Sequence, residues 1–205
     1  MKKMLKLIFT VALVLLGTFA LIGAEDAVKV NPAVKDVYFS SLNSMAEGKV
    51  TEAFSYWCED GYAVENGKKK TIAQLRKELG LLESLLNAKD FDSLAEAMIA
   101  SGFLSAAQKQ KFADLTPEQK KKMFAASIVQ INMLRARLRA ELEPIIQSIK
   151  IESYEEKGET ALLSTIQKSD RGKQLERCVV IFKKINGIWK IYSTVAVPLK
   201  QEEKK

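Results

Sequence analysis

The sequence predicts an α+β protein in which N-terminal helices pack on a curved antiparallel sheet. Apolar residues recur at the three- and four-residue spacing of helices as far as about residue 142. After Pro144 apolar and polar residues alternate, which is the period of a strand. Asn186-Gly187 separates two such alternating runs and is a strong hairpin signal. Helices on one face of such a sheet make a cone-shaped α+β barrel.

Capping residues mark the helix starts. Asn31-Pro32 and Thr116-Pro117 each combine an N-cap with a proline at the first helical position, and Thr71 and Ser105 are further N-caps. Pro144 is expected to end or kink the last helix. The predicted helices cover residues 31–47, 51–58, 71–86 and, with interruptions, 90–142. The last of these ranges forms a helical insertion at about 90–144 within one domain spanning 25–200, and residues 201–205 form a charged tail.

The predicted strands follow the helices, apart from a short one at 62–65 that leads into a turn at Asn66-Gly67. The others lie at 145–153, 160–167, 175–185 and 188–197. In the strand 175–185, both Val179 with Ile181 and Val180 with Phe182 are apolar, so both faces of this strand should be covered. The helices cover one face, and a second copy of the chain is expected on the other, as a homodimer through the sheet.

Residues 1–24 have the layout of a secretory signal peptide. Three lysines precede an apolar run that ends in small residues before an acidic start at Glu25-Asp26. Cleavage after Ala24 is expected, with Ala20 as the other choice. The remaining alternative is an uncleaved membrane anchor, for which the apolar run is barely long enough. The protein is therefore predicted to be exported, to the periplasm or outside the cell, with membrane contact only through this segment or a lipid cargo.

Composition excludes several kinds of chemistry. The chain has no histidine, which excludes Ser-His-Asp and Cys-His catalysis and histidine-ligated zinc. Two cysteines cannot form a four-thiolate metal site, and no phosphate-binding glycine motif is present. We predict no cofactor and no metal. Without the signal segment the net charge falls from +7 to +4, a weak excess without interleaved aromatic residues, so no nucleic-acid partner is expected.

The two cysteines, Cys58 and Cys178, have two interpretations. An oxidising compartment permits a disulfide between them. The alternative is a pair of buried free thiols that act as small apolar side chains.

The chain resembles the nuclear transport factor 2-like (cystatin-like α+β) superfamily. The resemblance covers residues 32–80 and 147–195 and departs from the superfamily at 90–144. The residues that carry it are Val37-Tyr38-Phe39, Leu42, Gly48, Ala53-Phe54, Trp57, Glu59-Asp60, Asn66-Gly67, the helix 72–79, Glu159-Thr160-Ala161 and the segment 184–191. The superfamily contains isomerases, dehydratases, carriers and non-catalytic binding modules, so the resemblance predicts the fold and leaves the function open.

The resemblance implies a test for ketosteroid-isomerase-like chemistry, which needs a carboxylate base and oxyanion donors. Glu65 falls at the base position. Tyr38 lies one helical turn before the donor position, which Ser41 occupies, and Ile181 stands at the position of the late-strand acid. The candidate catalytic residues are therefore Glu65 and Tyr38; the alternative is an exposed strand-end carboxylate and a core aromatic residue.

A second, weaker resemblance is to periplasmic phospholipid carriers of the MlaC type. It rests on the export signal, the helix start at Leu115-Thr116-Pro117-Glu118-Gln119 and the ending Trp189-Lys190-Ile191-Tyr192. Such a carrier needs an apolar cavity, which Phe91, Met98 and Phe124 in the insertion would line. The alternative is that these side chains form the core between the helices.

One further group combines aromatic and polar side chains at a helix-to-strand corner, as at a pocket mouth or a protein contact. Its members are Tyr56, Trp57, Asp60 and Tyr62. The predicted function is non-catalytic binding of an apolar small molecule or of another envelope protein. The alternatives are a lipid carrier and a metal-independent isomerase or dehydratase.

Overall fold

The computed structural model describes residues 28–65, 67–168 and 175–199. The predicted signal segment, 1–24, and the charged tail, 201–205, lie outside these ranges. Within them the elements follow in the order α1 (Pro32–Ala46), α2 (Val50–Ser55), β1 (Trp57–Glu65), β2 (Lys68–Thr71), α3 (Ile72–Leu86), α4 (Phe91–Ala100), α5 (Ala106–Ala113), α6 (Pro117–Gln147), β3 (Lys150–Lys157), β4 (Thr160–Lys168), β5 (Leu175–Ile185) and β6 (Ile188–Pro198).

The strands form one sheet in the order β2-β1-β6-β5-β4-β3. Register shifts in the β1–β6, β3–β4 and β5–β6 pairs bend the strands, and the sheet is curved and not closed. The predicted α+β class, with helices on a curved sheet, is confirmed. The sheet differs from the expectation in one pair, since β1 and β6 run parallel. They come from opposite ends of the fold and are joined by a long crossover, which a parallel pair requires.

All four predicted N-caps are present. Asn31 accepts a hydrogen bond from the backbone N–H of Ala33. Thr71, Ser105 and Thr116 each form a capping box with the glutamine three residues later. These signals act within one helical turn, which explains why the sequence alone locates the helix starts.

Strand β2 was not predicted, and element boundaries differ from the prediction at two places in the chain. Helix α6 continues through Pro144 to Gln147, and β3 begins only at Lys150. The helical turn after the proline is retained because Ile145 and Ile146 pack against the core, which offsets the lost hydrogen bond. At the other end, α2 stops at Ser55 and the chain enters β1 at Trp57, where that strand pairs with β6.

The core lies between α1, α2 and α3 and the inner face of the sheet. Its largest fully buried side chains include Trp57, Tyr38, Phe54 and Phe182. Ser41 connects three elements there: it accepts a hydrogen bond from the Trp57 indole N–H at 3.1 Å and donates one to the Ala53 carbonyl at 3.0 Å. This contact fixes α1 against α2 and the start of β1.

Helices α4, α5 and α6 occupy the range of the predicted insertion. A second, smaller cluster of buried residues joins α3 to α4, and side chains of α6 pack against it; its buried members are Leu85, Leu94 and Ala97. No helix in the described ranges combines the length and the apolar character needed to cross a membrane.

Candidate ligand-binding site

The inner face of the sheet changes from apolar to polar along its central strands. Buried side chains of β4 and their partners on β5 show this change in the order Leu163 with Val180, Thr165 with Cys178, and Gln167 with Glu176. Partners in an antiparallel pair lie on the same face of the sheet, so these side chains form two adjacent rows. The polar end of the rows is as well buried as the apolar end.

Helix α1 places one hydroxyl over this polar end. Tyr38 is 1% exposed, and its ring packs edge-to-face against Phe182 with centroids 6.5 Å apart. Its hydroxyl lies 3.4 Å from Thr165 Oγ1 and donates to Gln167 Oε1 at 3.5 Å. Both distances are at the long end for hydrogen bonds. We call Tyr38, Thr165, Gln167 and Glu176 the inner polar cluster.

The amide nitrogen of Gln167 is the unusual group of this cluster. The residue is 2% exposed, and Nε2 has no hydrogen-bond partner in the described part of the chain. A buried donor without an acceptor costs about 1–3 kcal/mol. Buried polar groups are almost always satisfied, so an unused N–H pair at this depth indicates a place for an acceptor from a ligand or an ordered water.

Burial keeps the phenol of this cluster neutral. Burial raises the pKa of Tyr38 far above its ordinary value, and the nearby Cys178 adds to this, while the Thr165 hydrogen bond opposes it. The phenol therefore stays protonated at every physiological pH. A neutral hydroxyl and a primary amide are suited to binding a carbonyl or hydroxyl oxygen.

The described residues do not test the predicted catalytic pair of Glu65 and Tyr38. Tyr38 belongs to the inner polar cluster, but Glu65 ends β1 at its hairpin with Lys68, and the Glu65 side chain lies outside the described part of the structure. Ser41, at the donor position, is engaged with Trp57. Ile181 pairs with Leu162 on the face of the sheet opposite the helices.

The four aromatic and polar residues at the α2–β1 corner do not share one pocket. Trp57 is 1% exposed and belongs to the core, and Tyr56 packs against that core in part. Tyr62 instead packs edge-to-face on Tyr192, with centroids 5.6 Å apart, and Asp60 is an exposed residue 3.7 Å from Lys183. Strand alternation separates them, because successive side chains point to opposite faces.

The three insertion residues pack against other side chains of the helices. Phe91 is buried and lies edge-to-face on Phe112, with centroids 5.3 Å apart. Met98 and Phe124 pack against the second cluster. These three side chains therefore form part of the core between the helices, as in the alternative to a lipid cavity given in the sequence analysis.

Of the two interpretations of the cysteines, the structure has the second, in which Cys58 and Cys178 are free, buried thiols. Cys58 is on β1 and Cys178 on β5, with β6 between them, a separation of about 9–10 Å across the sheet. Cys178 also pairs with Ala196, five residues along β6 from the partner of Trp57. The Cα atoms are thus well beyond the ~7 Å limit for a disulfide.

Sequence reasoning missed Thr165, Gln167 and Glu176. A signal was present, since Thr165 and Gln167 continue the alternation of Ala161 and Leu163 and so had to lie on the buried face. Polar side chains at buried positions of a strand are a stronger pointer to a site than the aromatic residues at the α2–β1 corner.

The fold thus defined is an α+β arrangement of helices on one face of a curved sheet, as the nuclear transport factor 2-like resemblance predicts. No protein-family model and no curated protein matches the chain. Solved structures similar to it include two proteins from Shewanella species. One, a Shewanella frigidimarina protein given the provisional name ketosteroid isomerase, has 11% identity and a TM-score of 0.41, covering 83% of this chain and 99% of that one. The other, a protein of unknown function from Shewanella baltica described as NTF2-like, has 9% identity and a TM-score of 0.39, covering 83% and 94%.

Proposed function

We propose that this protein is an exported, non-catalytic binding protein for a small, mainly apolar molecule that carries one acceptor oxygen. The observation that carries the proposal is the buried Gln167 amide, whose Nε2 has no acceptor among the described residues. The ligand's oxygen accepts from this N–H and from the Tyr38 hydroxyl, whose single proton turns to it from the long 3.5 Å contact with Gln167 Oε1. Export rests on the predicted signal segment, 1–24.

The surroundings of the cluster support an apolar body for the ligand. The side chains next to the cluster on the inner face are Leu163, Val180 and Phe182, all fully buried. Apolar walls with a few placed polar groups are typical of small-molecule sites. A lipid-carrier role receives less support, because the side chains assigned to its cavity pack against one another.

The Gln167→Met substitution tests this proposal. With both proteins free of ligand, we expect the variant to gain up to about 1–3 kcal/mol of stability, because it removes an unsatisfied buried donor at similar volume and gives up only a long contact with the Tyr38 hydroxyl. We also expect it to lose a small-molecule adduct that the parent protein carries when recovered gently from the exported fraction. Native mass spectrometry measures the adduct, and urea denaturation measures the stability.

Gln130→Met is the matched control, since Gln130 is exposed on α6. It should change neither the adduct nor the stability by more than ~0.5 kcal/mol. An adduct kept at full occupancy by Gln167→Met, or a bare parent protein, would contradict the proposal. Turnover of a steroid or related ketone by the parent protein would instead favour the isomerase alternative.

We further propose that two copies of the chain associate through the outer face of the sheet. Half-buried apolar side chains continue across three adjacent strands there, at Leu162, Ile166, Val179, Ile181 and Val195. Val180 and Phe182 point to the core instead. Two ion pairs lie near this face, Arg177 with Glu152 and Lys183 with Asp60. Positive and negative charges are therefore both present, and such a surface can pair with a second copy of itself across a two-fold axis.

Ile181→Glu is expected to convert a dimer into a monomer at micromolar concentration, because it buries an unpaired carboxylate at the centre of the interface. Ile128→Glu serves as control, since Ile128 is exposed on α6, away from the sheet. Sedimentation equilibrium measures the masses. A monomeric parent protein, or dissociation by Ile128→Glu alone, would overturn this interface.

A further inference from the structure

A second concave site lies beside α2, where two core residues, Val50 and Phe54, form part of its lining. It is a cleft of about 430 Å³ between α2, α3, the first part of β1 and β6. Its lining residues are Val50, Thr51, Phe54, Ser55, Glu59, Arg76, Gly80 and Lys190. We call it the Gly80 cleft. It shares no residue with the inner polar cluster, so a ligand bound in this cleft is independent of the proposed function.

Gly80 has no structural reason to be glycine. It lies inside α3, where glycine is a poor helix former. A Cβ built on Gly80 meets no atom within 4 Å, and its backbone does not adopt a positive φ. Neither close packing nor a special conformation therefore requires the residue. Its effect is to leave the cleft open, at the expense of helix stability.

Two cations line the same cleft. Lys190 donates from Nζ to the Ser55 carbonyl at 2.9 Å, and Arg76 donates from Nη2 to the Phe54 carbonyl at 2.9 Å. Both therefore neutralise the end of α2, where the helix dipole is negative. An ammonium has three N–H donors and a guanidinium five, so each retains donors beyond these contacts.

Among the described residues, the lining itself carries two cations and one carboxylate. That carboxylate is Glu59, which pairs with Arg76 Nη1 at 2.5 Å. Glu83 lies next to the lining, where its Oε2 accepts hydrogen bonds from the N–H and hydroxyl of Thr51 at 2.8 and 2.5 Å. The Arg76 guanidinium lowers the pKa of Glu59, mainly through the hydrogen bond. The Glu59 side chain is 82% exposed, however, and such an exposed pair is weak enough for an incoming carboxylate to compete with it.

We propose that the Gly80 cleft binds a small organic carboxylate. The carboxylate accepts hydrogen bonds from Arg76 and Lys190, and its short carbon chain lies over Gly80. Val50 and Phe54 back this wall and exclude water behind it. The chemistry is recognition of an anion by two fixed cations beside an apolar wall, and it involves no covalent step.

Butyrate is the probe, added to the full chain as recovered from expressing cells, and amide NMR shifts are the measurement. We expect saturable shifts at Thr51, Ser55 and Gly80, and binding of the neutral isostere butyramide at least about tenfold weaker, since it lacks the charge-assisted hydrogen bonds. Lys190→Met should weaken butyrate about tenfold, and Lys190→Arg should restore most of the affinity.

Gly80→Leu places a side chain in the cleft, where a Cβ meets no atom within 4 Å, and should abolish the butyrate shifts. The remaining spectrum shows whether the fold is kept. Ala73→Leu places the same side chain on an exposed position of α3 outside the cleft and should leave binding unchanged. Equal binding of butyramide overturns the carboxylate assignment. Butyrate shifts that survive Gly80→Leu, or that never saturate in the parent protein, overturn the site.

Discussion

Replacing Gly61 by alanine is expected to destabilise the protein by about 3 kcal/mol. A Cβ at this position would lie 2.8 Å from the Tyr192 carbonyl oxygen and 2.9 Å from that of Cys58. Both are backbone atoms, so neither can move away as a side-chain end would. Gly61 sits at the register shift between Trp57 and Tyr62, where β1 comes alongside β6. Separating the strands to admit a methyl group weakens their parallel pairing.

Gly158→Ala is the comparison that isolates this contact. Gly158 has a φ of +62° in the hairpin between β3 and β4, and a Cβ there meets nothing within 4 Å. The stability lost by Gly158→Ala should therefore be only the cost of placing alanine in the left-handed backbone conformation, about 1 kcal/mol. Urea denaturation of both variants gives the two free energies of unfolding. Equal losses would mean that the close approach at Gly61 relaxes without cost.

Gly61 also shows what sequence reasoning misses. Helix starts were predictable because their signals are local: Thr71 and Thr116 satisfy backbone donors within one turn. The parallel pairing of β1 with β6 joins segments more than 120 residues apart, and nothing near Gly61 announces it. Pro144 is the converse case. Its local signal predicted a helix end, and packing of the residues after it overrode that signal.

The candidate site likewise contains one residue that the sequence identified and others that it did not. Tyr38 was singled out from the sequence, but through a catalytic position counted along a resemblance. Its contacts, Thr165 and Gln167, lie 127 and 129 residues away. Which polar residues meet it depends on the register of β4 with β5, and this register follows from the whole sheet. The second cleft was not predicted, because it needs the relative placement of α2, α3 and β6.

The ring and the hydroxyl of Tyr38 should have separable roles. Tyr38→Ala is expected to cost about 3–5 kcal/mol, because it empties a fully buried aromatic position next to Phe182. Tyr38→Phe keeps the ring and should cost only about 1 kcal/mol, since the hydroxyl contacts of 3.4 and 3.5 Å are long. Urea denaturation measures both losses.

Tyr38→Phe should weaken ligand binding much more than it lowers the stability of the fold. Tyr38→Phe removes one of the two donors proposed to hold the ligand's oxygen, so the affinity should fall about tenfold and the adduct seen by native mass spectrometry should decrease, although the fold is nearly intact. Tyr154→Phe is the control, because it deletes a hydroxyl that contacts Glu156 on β3 rather than the inner polar cluster. It should leave the adduct unchanged. If Tyr38→Phe also leaves it unchanged, Tyr38 is a core residue only, and ligand recognition at this end of the sheet would depend on Gln167 without the phenol.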